Sequence, residues 1–143
     1  MSTHNKINVA VIGATGYTGI DLVFMLSKHP NINILNLCAT KNLGKYIDFF
    51  DKRIKKKLPK ISSINKIDWK KVDLVFLSLP NGEAQKLIKK NFLKNKNLKF
   101  IDLSADFRLT NSEIYKKNYK KSHAALTLIP QSIYSIPEFT KSE

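Results

Sequence analysis

The sequence has a single cysteine, only two arginines among its 25 basic residues, and five glycines in 143 residues. With Cys38 alone, no disulfide can form within the chain, which is typical of proteins from a reducing compartment. No apolar run approaches the roughly 18 residues that a membrane-spanning helix needs, and residues 1–6 carry no secretory apolar segment. These absences exclude a disulfide-rich secreted domain and a membrane protein, and they predict a cytoplasmic location.

The net charge of +14 raises the question of a nucleic-acid partner. Nearly all of this charge comes from lysine, and lysine, asparagine and isoleucine are the residues that A+T-rich codons favour. The lysine runs are dispersed along the chain, and arginine, which nucleic-acid readers use for bidentate contacts, is scarce. Genome composition therefore explains the charge, and we predict solvated lysine faces and no nucleic-acid partner.

The pattern of apolar residues predicts strands that alternate with helices. Runs typical of buried strands cover 7–12, 32–39, 72–79 and 99–103, and helical patterns cover 19–28 and 83–95. The first helix is apolar on most of its circumference, which predicts cover on two sides. Such alternation indicates a Rossmann-like, doubly wound, mostly parallel sheet with helices on both faces, formed as one domain by residues 1–143.

Three further segments are read less directly. Residues 42–68 are irregular and lysine-rich, and we expect only a short helix near 46–50 and a strand at 61–64. The spacing of Thr110 and Glu113 predicts a capping box that opens another short helix. The apolar tail at 124–139, which contains two prolines, predicts an extended segment.

Three glycines at equal spacing, Gly13, Gly16 and Gly19, follow the first predicted strand and open the first helix. In this order one glycine permits the turn, a second lets the backbone come close to phosphates, and a third lets the helix pack on the strand. The first N–H groups of a helix have no intrahelical partner and lie at the positive end of its dipole. We therefore predict a dinucleotide pyrophosphate site; the alternative is a purely structural strand-to-helix turn.

Polar segments follow the other predicted strands, namely Thr40-Lys41, Pro80-Asn81-Gly82 and Ser104 to Arg108. Because ligands bind at the carboxyl ends of parallel strands, these segments are expected to line one edge together with the glycine turn. An NAD-binding unit usually has an acidic residue at the end of its second strand, where this chain has Thr40 and Lys41. A hydroxyl and an ammonium group bind a 2′-phosphate, so we predict NADP(H) as the cofactor; the alternative is that both are ordinary loop residues.

Four motifs together resemble one family. They are Gly-Ala-Thr-Gly-Tyr-Thr-Gly at 13–19, Leu-Ser-Leu-Pro-Asn-Gly at 77–82, Ile-Asp-Leu-Ser-Ala-Asp-Phe-Arg at 101–108 and Tyr-Ser-Ile-Pro-Glu at 134–138. In this order they are similar to the N-terminal part of the N-acetyl-gamma-glutamyl-phosphate reductases, which belong to the semialdehyde dehydrogenase family. The resemblance runs from Ile7 to the C-terminus and covers under half of a typical member.

The resemblance implies an NADPH-dependent reduction, in which an acyl phosphate becomes an aldehyde through a thioester on a cysteine. It implies that the dinucleotide is bound by Gly13, Thr15, Gly16, Tyr17, Thr18 and Gly19. It implies that the 2′-phosphate is bound by Thr40 and Lys41. It implies that Pro80, Asn81, Gly82 and Ser104 approach the nicotinamide end. It also makes Arg108 an anion contact for the substrate, with the alternative that Arg108 pairs with Asp102 or Asp106.

The family's nucleophile lies in a Gly-Cys-Tyr-Pro segment and its catalytic histidine lies further on, both beyond Glu143 of this sequence. Cys38 has apolar neighbours, and His4, His29 and His123 have no motif support. We therefore predict no catalytic residue and no metal site in this chain. The expectation is the cofactor domain of a reductase truncated before its catalytic and dimerising domain, inactive alone and a homo-oligomer when full length.

Smaller departures and alternatives remain. Asn81 stands where the family often has histidine, Lys41 where arginine is common, and Ser135 where glycine is usual.

The leading alternative to a reductase domain is a stand-alone NADP-binding module without catalysis, and a basic nucleic-acid-binding protein is a weaker one. The cofactor half of a related aminoadipyl-phosphate or aspartyl-phosphate reductase would have nearly the same sequence pattern.

Overall fold

The computed structural model describes residues 6–95, 97–136 and 138. In this part of the chain, strands alternate with helices. The strands are β1 (Ile7–Ile12), β2 (Ile32–Cys38), β3 (Ile61–Ser62), β4 (Leu74–Leu77) and β5 (Lys99–Asp102). The α-helices are α1 (Tyr17–Lys28), α2 (Glu83–Phe92) and α3 (Ser112–Tyr119), and short 3₁₀ helices lie at Ile47–Phe49, Ile64–Lys66 and Leu126–Gln131.

The five strands form one sheet in the order β3-β2-β1-β4-β5, and every neighbouring pair is parallel. From β1 the chain moves outward to β2 and β3, and it then returns to place β4 on the other side of β1. The direction of winding therefore reverses between β1 and β4. In doubly wound sheets this reversal opens the crevice in which ligands bind.

Alternate residues of β1 face opposite sides of the sheet, and helices pack on both of these faces. Val9 and Val11 pack in a cluster with Leu22 and Val23 of α1. On the other face, the residues that pack together include Ala10 and Ile12 of β1, Val75 and Leu77 of β4, and Ala84 and Ile88 of α2. The predicted Rossmann-like, doubly wound fold is therefore confirmed.

The expectation that α1 is covered on two sides is wrong for the described part of the chain. Leu22, Val23 and Leu26 are buried on one face, whereas Met25 is 60% exposed. Phe24 packs partly against the core, and two cations lie over its ring, the Lys28 ammonium at 3.8 Å and the Arg53 guanidinium carbon at 4.6 Å from the centroid. A cation over an aromatic face shields the ring without a second packed layer.

The predicted capping box at Thr110 is also wrong. Asn111 is the N-cap of α3, and its side-chain oxygen accepts hydrogen bonds from the N–H groups of Glu113 and Ile114, at 2.8 and 3.1 Å. Asparagine caps helices at least as well as threonine, and it lies directly before the first helical residue.

The tail also differs from the extended segment expected at 124–139. Leu126–Gln131 form a 3₁₀ helix in which Leu128 and Ile129 are buried. The fixed φ of Pro130 is compatible with such a turn. Residues 137 and 139 of the expected segment lie outside the described residues. In the described ranges, no helix is both long and apolar enough to cross a membrane.

Candidate functional site

The glycine turn and the segments after β2, β4 and β5 meet at one edge of the sheet, because all the strands are parallel. Backbone hydrogen bonds join the first two, since Gly13 and Ala14 both donate to the carbonyl oxygen of Cys38, at 2.9 and 3.0 Å. The segments after β4 and β5 are joined where the Ala105 N–H donates to Asn81 Oδ1 at 3.4 Å. The structure thus brings the sequence-predicted segments together.

Gly13 turns the chain out of β1 and has φ +85°, a conformation that side chains disfavour. A Cβ at this position would lie 1.9 Å from the carbonyl oxygen of Ser78. The turn therefore passes directly over the end of β4. This close approach explains why the first position of the motif is glycine.

Gly19 lies in the first turn of α1, where a Cβ would stand 2.1 Å from the carbonyl oxygen of Gly13. It therefore lets the helix pack against the glycine turn. Gly16 is different, because the nearest atom to its Cβ would be the same oxygen at 3.5 Å, an ordinary contact. With φ −75°, its backbone is also open to other residues. The packing of this chain thus requires glycine at 13 and 19 and leaves free space at 16.

The N-terminus of α1 is open. Its N-cap is Gly16, which offers no side-chain hydrogen bond, and no acidic residue lies in the first turn. The N–H groups of Tyr17, Thr18 and Gly19 donate to no acceptor in the described part of the chain. Free donors and the positive end of a helix dipole form an anion site, and the space at Gly16 lets a phosphate come close. A dinucleotide pyrophosphate fits these residues.

Thr40 and Lys41 follow β2 at the same edge, and both are exposed. Lys41 forms no ion pair with the described acidic residues. Behind them the loop is fixed to the sheet edge, because Gly44 N–H donates to the carbonyl oxygen of Ile61 at 2.8 Å and Ile61 N–H donates to that of Lys45 at 2.9 Å. The end of β2 therefore presents a hydroxyl and a free ammonium group.

The turn Pro80-Asn81-Gly82 leads from β4 into α2. Gly82 has φ +92°, and its N–H donates to both carboxylate oxygens of Asp106, at 2.7 and 2.9 Å. The Lys121 ammonium donates to the carbonyl oxygen of Asn81 at 3.1 Å. The segments that follow β5 and α3 thus both contact this turn.

Ser104 uses its hydroxyl within the segment that follows β5. Its Oγ donates to Asp102 Oδ2 at 2.8 Å and accepts from the Asp106 N–H at 3.1 Å. Burial raises the pKa of Asp102, although the hydrogen bonds from Ser104 oppose this effect. The hydroxyl hydrogen is therefore already bound, and one oxygen lone pair is what the side chain offers a ligand.

Arg108 is exposed, and its Nε donates to the carbonyl oxygen of Ser104 at 3.3 Å. It forms no ion pair with Asp102 or Asp106 in the structure. The alternative in which Arg108 pairs with one of these carboxylates is therefore not realised. Its terminal guanidinium nitrogens remain available at the edge where the carboxyl ends of the strands meet, which we call the ligand edge.

Cys38, His29 and His123 are held by contacts within the fold. Cys38 is 1% exposed at the end of β2, and burial raises the pKa of its thiol. His123 is buried, and its Nδ1 accepts from the Ala125 N–H at 3.1 Å, so its Nε2 carries the hydrogen and donates to the carbonyl oxygen of Asp106. His29 Nδ1 accepts from the Asn31 N–H, and His4 lies outside the described residues. None of the described three has the setting of a nucleophile or general base.

The role of Asp106 is not predicted from the sequence, which suggests this residue only as a partner for Arg108. Asp106 is buried together with Tyr115 and Gln85: the Tyr115 hydroxyl donates to its carboxylate, and the Gln85 side chain donates to that hydroxyl. The signal was a charged residue between Ala105 and Phe107. A carboxylate in such an apolar setting is buried only with hydrogen-bond partners.

Comparison with known proteins places the chain in a family. The profile of the semialdehyde dehydrogenase NAD-binding domain matches residues 8–143. An N-acetyl-gamma-glutamyl-phosphate reductase from Ehrlichia ruminantium (strain Gardel) is 40% identical over 135 residues, which are 93% of this chain and 38% of that protein. One from Paracoccus denitrificans is 38% identical over 138 residues, 96% of this chain and 40% of that protein. The chain therefore spans about two fifths of the length of these relatives.

Solved structures share the fold. Aspartate semialdehyde dehydrogenase with NADP from Candida albicans superposes with a TM-score of 0.56 at 24% identity, over 76% of this chain and 32% of that one. Aspartate semialdehyde dehydrogenase II from Vibrio cholerae gives a TM-score of 0.58 at 24% identity, over 73% and 30%. With the profile match over nearly its whole length, the chain belongs to the semialdehyde dehydrogenase family, as its NAD-binding domain.

Proposed function

We propose that residues 1–143 are the NADP(H)-binding domain of a reductase that converts N-acetyl-gamma-glutamyl phosphate into N-acetyl-glutamate semialdehyde and phosphate. The open N-terminus of α1, with free space at Gly16, is the observation that carries the proposal. The names of relatives that are 35–41% identical support the substrate. The cofactor supplies the hydride for this reduction, and this domain holds and orients it.

The proposed contacts follow the edge of the sheet. The pyrophosphate accepts from the N–H groups at the start of α1, and the hydroxyls of Thr15 and Thr18 lie in the same segment. Thr40 and Lys41 bind the 2′-phosphate of the ribose. The nicotinamide half lies against the turn at 80–82 and the segment that begins at Ser104. Arg108 binds the anionic group of the substrate.

Two observations support NADP(H) over NAD(H). The end of β2 carries no carboxylate that would repel a 2′-phosphate. Lys41 is exposed and free of ion pairs with the described acidic residues, so binding a phosphate does not require it to give up a partner. Charge-assisted contacts to phosphate are among the strongest hydrogen bonds in proteins.

Calorimetric titration of the 143-residue chain with NADPH and with NADH tests the cofactor. We expect NADPH to bind more tightly. Lys41→Ala should weaken NADPH binding by about ten- to 150-fold, as the loss of one charged hydrogen bond of about 1.5–3 kcal/mol predicts, and leave NADH binding unchanged. Lys45→Ala is the matched control, because the Lys45 ammonium lies over the ring of Phe49. Tighter binding of NADH by the parent chain would contradict the proposed specificity.

A further inference from the structure

The N–H groups at the start of α2 are bonded to a carboxylate, in contrast to those at the start of α1. The anion position of α2 is filled by the carboxylate of Asp106, which belongs to the segment after β5. The carboxylate accepts from the N–H groups of Gly82 and Gln85, at 2.7–3.1 Å, and from the Tyr115 hydroxyl at 2.8 Å. No cation of the described chain pairs with it. The backbone amides and the helix dipole therefore compensate its charge.

A second layer fixes the carboxylate from behind. The Tyr115 hydroxyl, which donates to Asp106, accepts from Gln85 Nε2 at 2.9 Å. Gln85 Oε1 in turn accepts from the Ala124 N–H. His123 Nε2 donates to the carbonyl oxygen of Asp106 at 2.8 Å. Because these side chains are buried and each polar atom is bonded, the position of the carboxylate is set by the fold.

The other hydrogen bonds that hold the turn at 80–82 are weaker. Asn81 Oδ1 accepts from the Ala105 N–H at 3.4 Å, which is long for a hydrogen bond. The contact from Lys121 to the Asn81 carbonyl is exposed to solvent. The Gly82 N–H is thus the one group of this turn that is held by a buried, charged acceptor.

We propose that Asp106 is a positioning residue that fixes the turn Pro80-Asn81-Gly82 in the orientation in which it receives the nicotinamide half of the cofactor. This role rests on the proposed function. Asp106 does not contact the cofactor, because its side chain is fully buried beneath the turn. It sets the position of the backbone that does, at the opposite end of the ligand edge from Thr40 and Lys41.

Asp106→Asn tests this role, because the amide keeps the size of the side chain but turns a donor toward the N–H groups that need an acceptor. The probes are NADPH and 2′-phospho-ADP-ribose, which lacks only the nicotinamide. We expect NADPH to bind the variant about tenfold more weakly, a change of about 1.4 kcal/mol, and the probe without nicotinamide to bind within about twofold of the parent. A loss of general stability would weaken both ligands equally and overturn the inference.

Asp73→Asn is the matched control, since Asp73 Oδ2 also accepts a backbone N–H, from Asn8 at 2.8 Å, but lies at the other edge of the sheet. We expect this variant to leave the ratio of the two affinities unchanged. Tyr115→Phe is the second variant in case Asp106→Asn does not fold. It removes one donor to Asp106 without touching the turn, and we expect a smaller shift of the ratio in the same direction.

Hydrogen exchange of the free chain distinguishes failure of the positioning role of Asp106 from failure of the proposed function. Asp106→Asn should speed exchange at the Gly82 and Gln85 amides and leave the amides of β1 unchanged. If the parent chain binds neither probe, the proposed function fails and the nicotinamide role with it, while the exchange data still decide whether Asp106 holds the turn. If both probes bind and their ratio is the same in parent and variant, the proposed function stands and the positioning role is wrong.

Discussion

At the scale of single residues, the most direct test lies in the space around Gly16. An alanine Cβ at this position would meet its nearest atom at 3.5 Å, and the φ of −75° suits alanine. We therefore expect Gly16→Ala to change the free energy of unfolding by less than about 1 kcal/mol. The same methyl group would stand where a phosphate approaches the start of α1, so NADPH binding should weaken at least tenfold, or by about 1.4 kcal/mol.

Gly19→Ala is the contrasting variant, because its Cβ would lie 2.1 Å from the carbonyl oxygen of Gly13. We expect it to destabilise the fold itself by several times the effect at Gly16, as steric overlap in a packed region does. Urea unfolding and calorimetry measure the two effects separately. Equal stability losses in both variants would contradict the packing difference between the two positions, and full NADPH affinity in Gly16→Ala would contradict the proposed phosphate site.

Tyr115 makes the stability depend on pH. Burial, and next the hydrogen bond to the Asp106 carboxylate, raise the pKa of this phenol to about 12. Its pKa in the unfolded chain is about 10, so the folded state favours the neutral form. The resulting stabilisation is fully present below about pH 10 and is lost as the pH rises from there toward the folded pKa.

We therefore expect the free energy of unfolding to fall more steeply above about pH 10 in the parent than in Tyr115→Phe, which has no phenol to ionise. Urea titrations from about pH 8 to about pH 11 measure this difference. Because both proteins contain the same lysines, the lysine contribution to the free energy of unfolding cancels in the comparison. Parallel pH profiles for the two proteins would mean that the Tyr115 phenol is not coupled to the buried carboxylate.

At the scale of elements, the first N–H groups of the three described α-helices differ in what they bond to. α3 uses the side chain of Asn111, and α2 uses the carboxylate of Asp106 from a distant segment. α1 has neither a side-chain cap nor an acidic first turn. An uncapped helix start costs stability, and here it leaves donors for a ligand.

The cap of α3 gives a prediction at this scale. Asn111→Ala removes the acceptor for two N–H groups and should destabilise the chain by about 1 kcal/mol. Thr110→Ala serves as the control, because Thr110 caps nothing in the structure, and its effect should stay within about 0.5 kcal/mol. Chemical unfolding of both variants measures the difference. A larger loss for Thr110→Ala would restore the capping box that the sequence pattern favours.

The elements that the sequence predicts well are those whose signal is local. β1 is a run of β-branched residues and forms over Ile7–Ile12 as expected, and the amphipathic pattern of α2 is equally clear. Their ends are less certain, since the strand expected at 72–79 is only Leu74–Leu77. The ends of such elements depend on which neighbouring strands continue to offer hydrogen-bond partners.

Other features depend on distant contacts and could not be predicted. Residues 42–68 are held by backbone bonds to β3 and by Arg53, which pairs with Asp21 of α1 and with Asp51. No periodic pattern encodes such contacts. The same holds at the site: the motif residues lie at the predicted edge, but the role of Asp106, whose carboxylate accepts from the Gly82 N–H, arises only when β4 and β5 pair.

At the scale of the whole molecule, Cys38 and His123 are both held within the packing of the fold. Cys38 is buried with a raised pKa, and His123 uses both of its ring nitrogens in hydrogen bonds. We therefore expect the 143-residue chain to show no oxidation of NADPH with N-acetyl-gamma-glutamyl phosphate. Absorbance of the reduced nicotinamide measures this rate. Turnover above that of the reagents alone would mean that a nucleophile lies within this chain.

The proposed function depends above all on binding of a dinucleotide pyrophosphate by the amides at the start of α1. Titration of the isotope-labelled chain with NADPH, followed by amide NMR, tests it most directly. We expect saturable shifts that are largest at the amides of residues 13–19, with smaller ones at Thr40 and Lys41. Absence of saturable shifts, or shifts centred at the opposite edge of the sheet near Asp73, would contradict it.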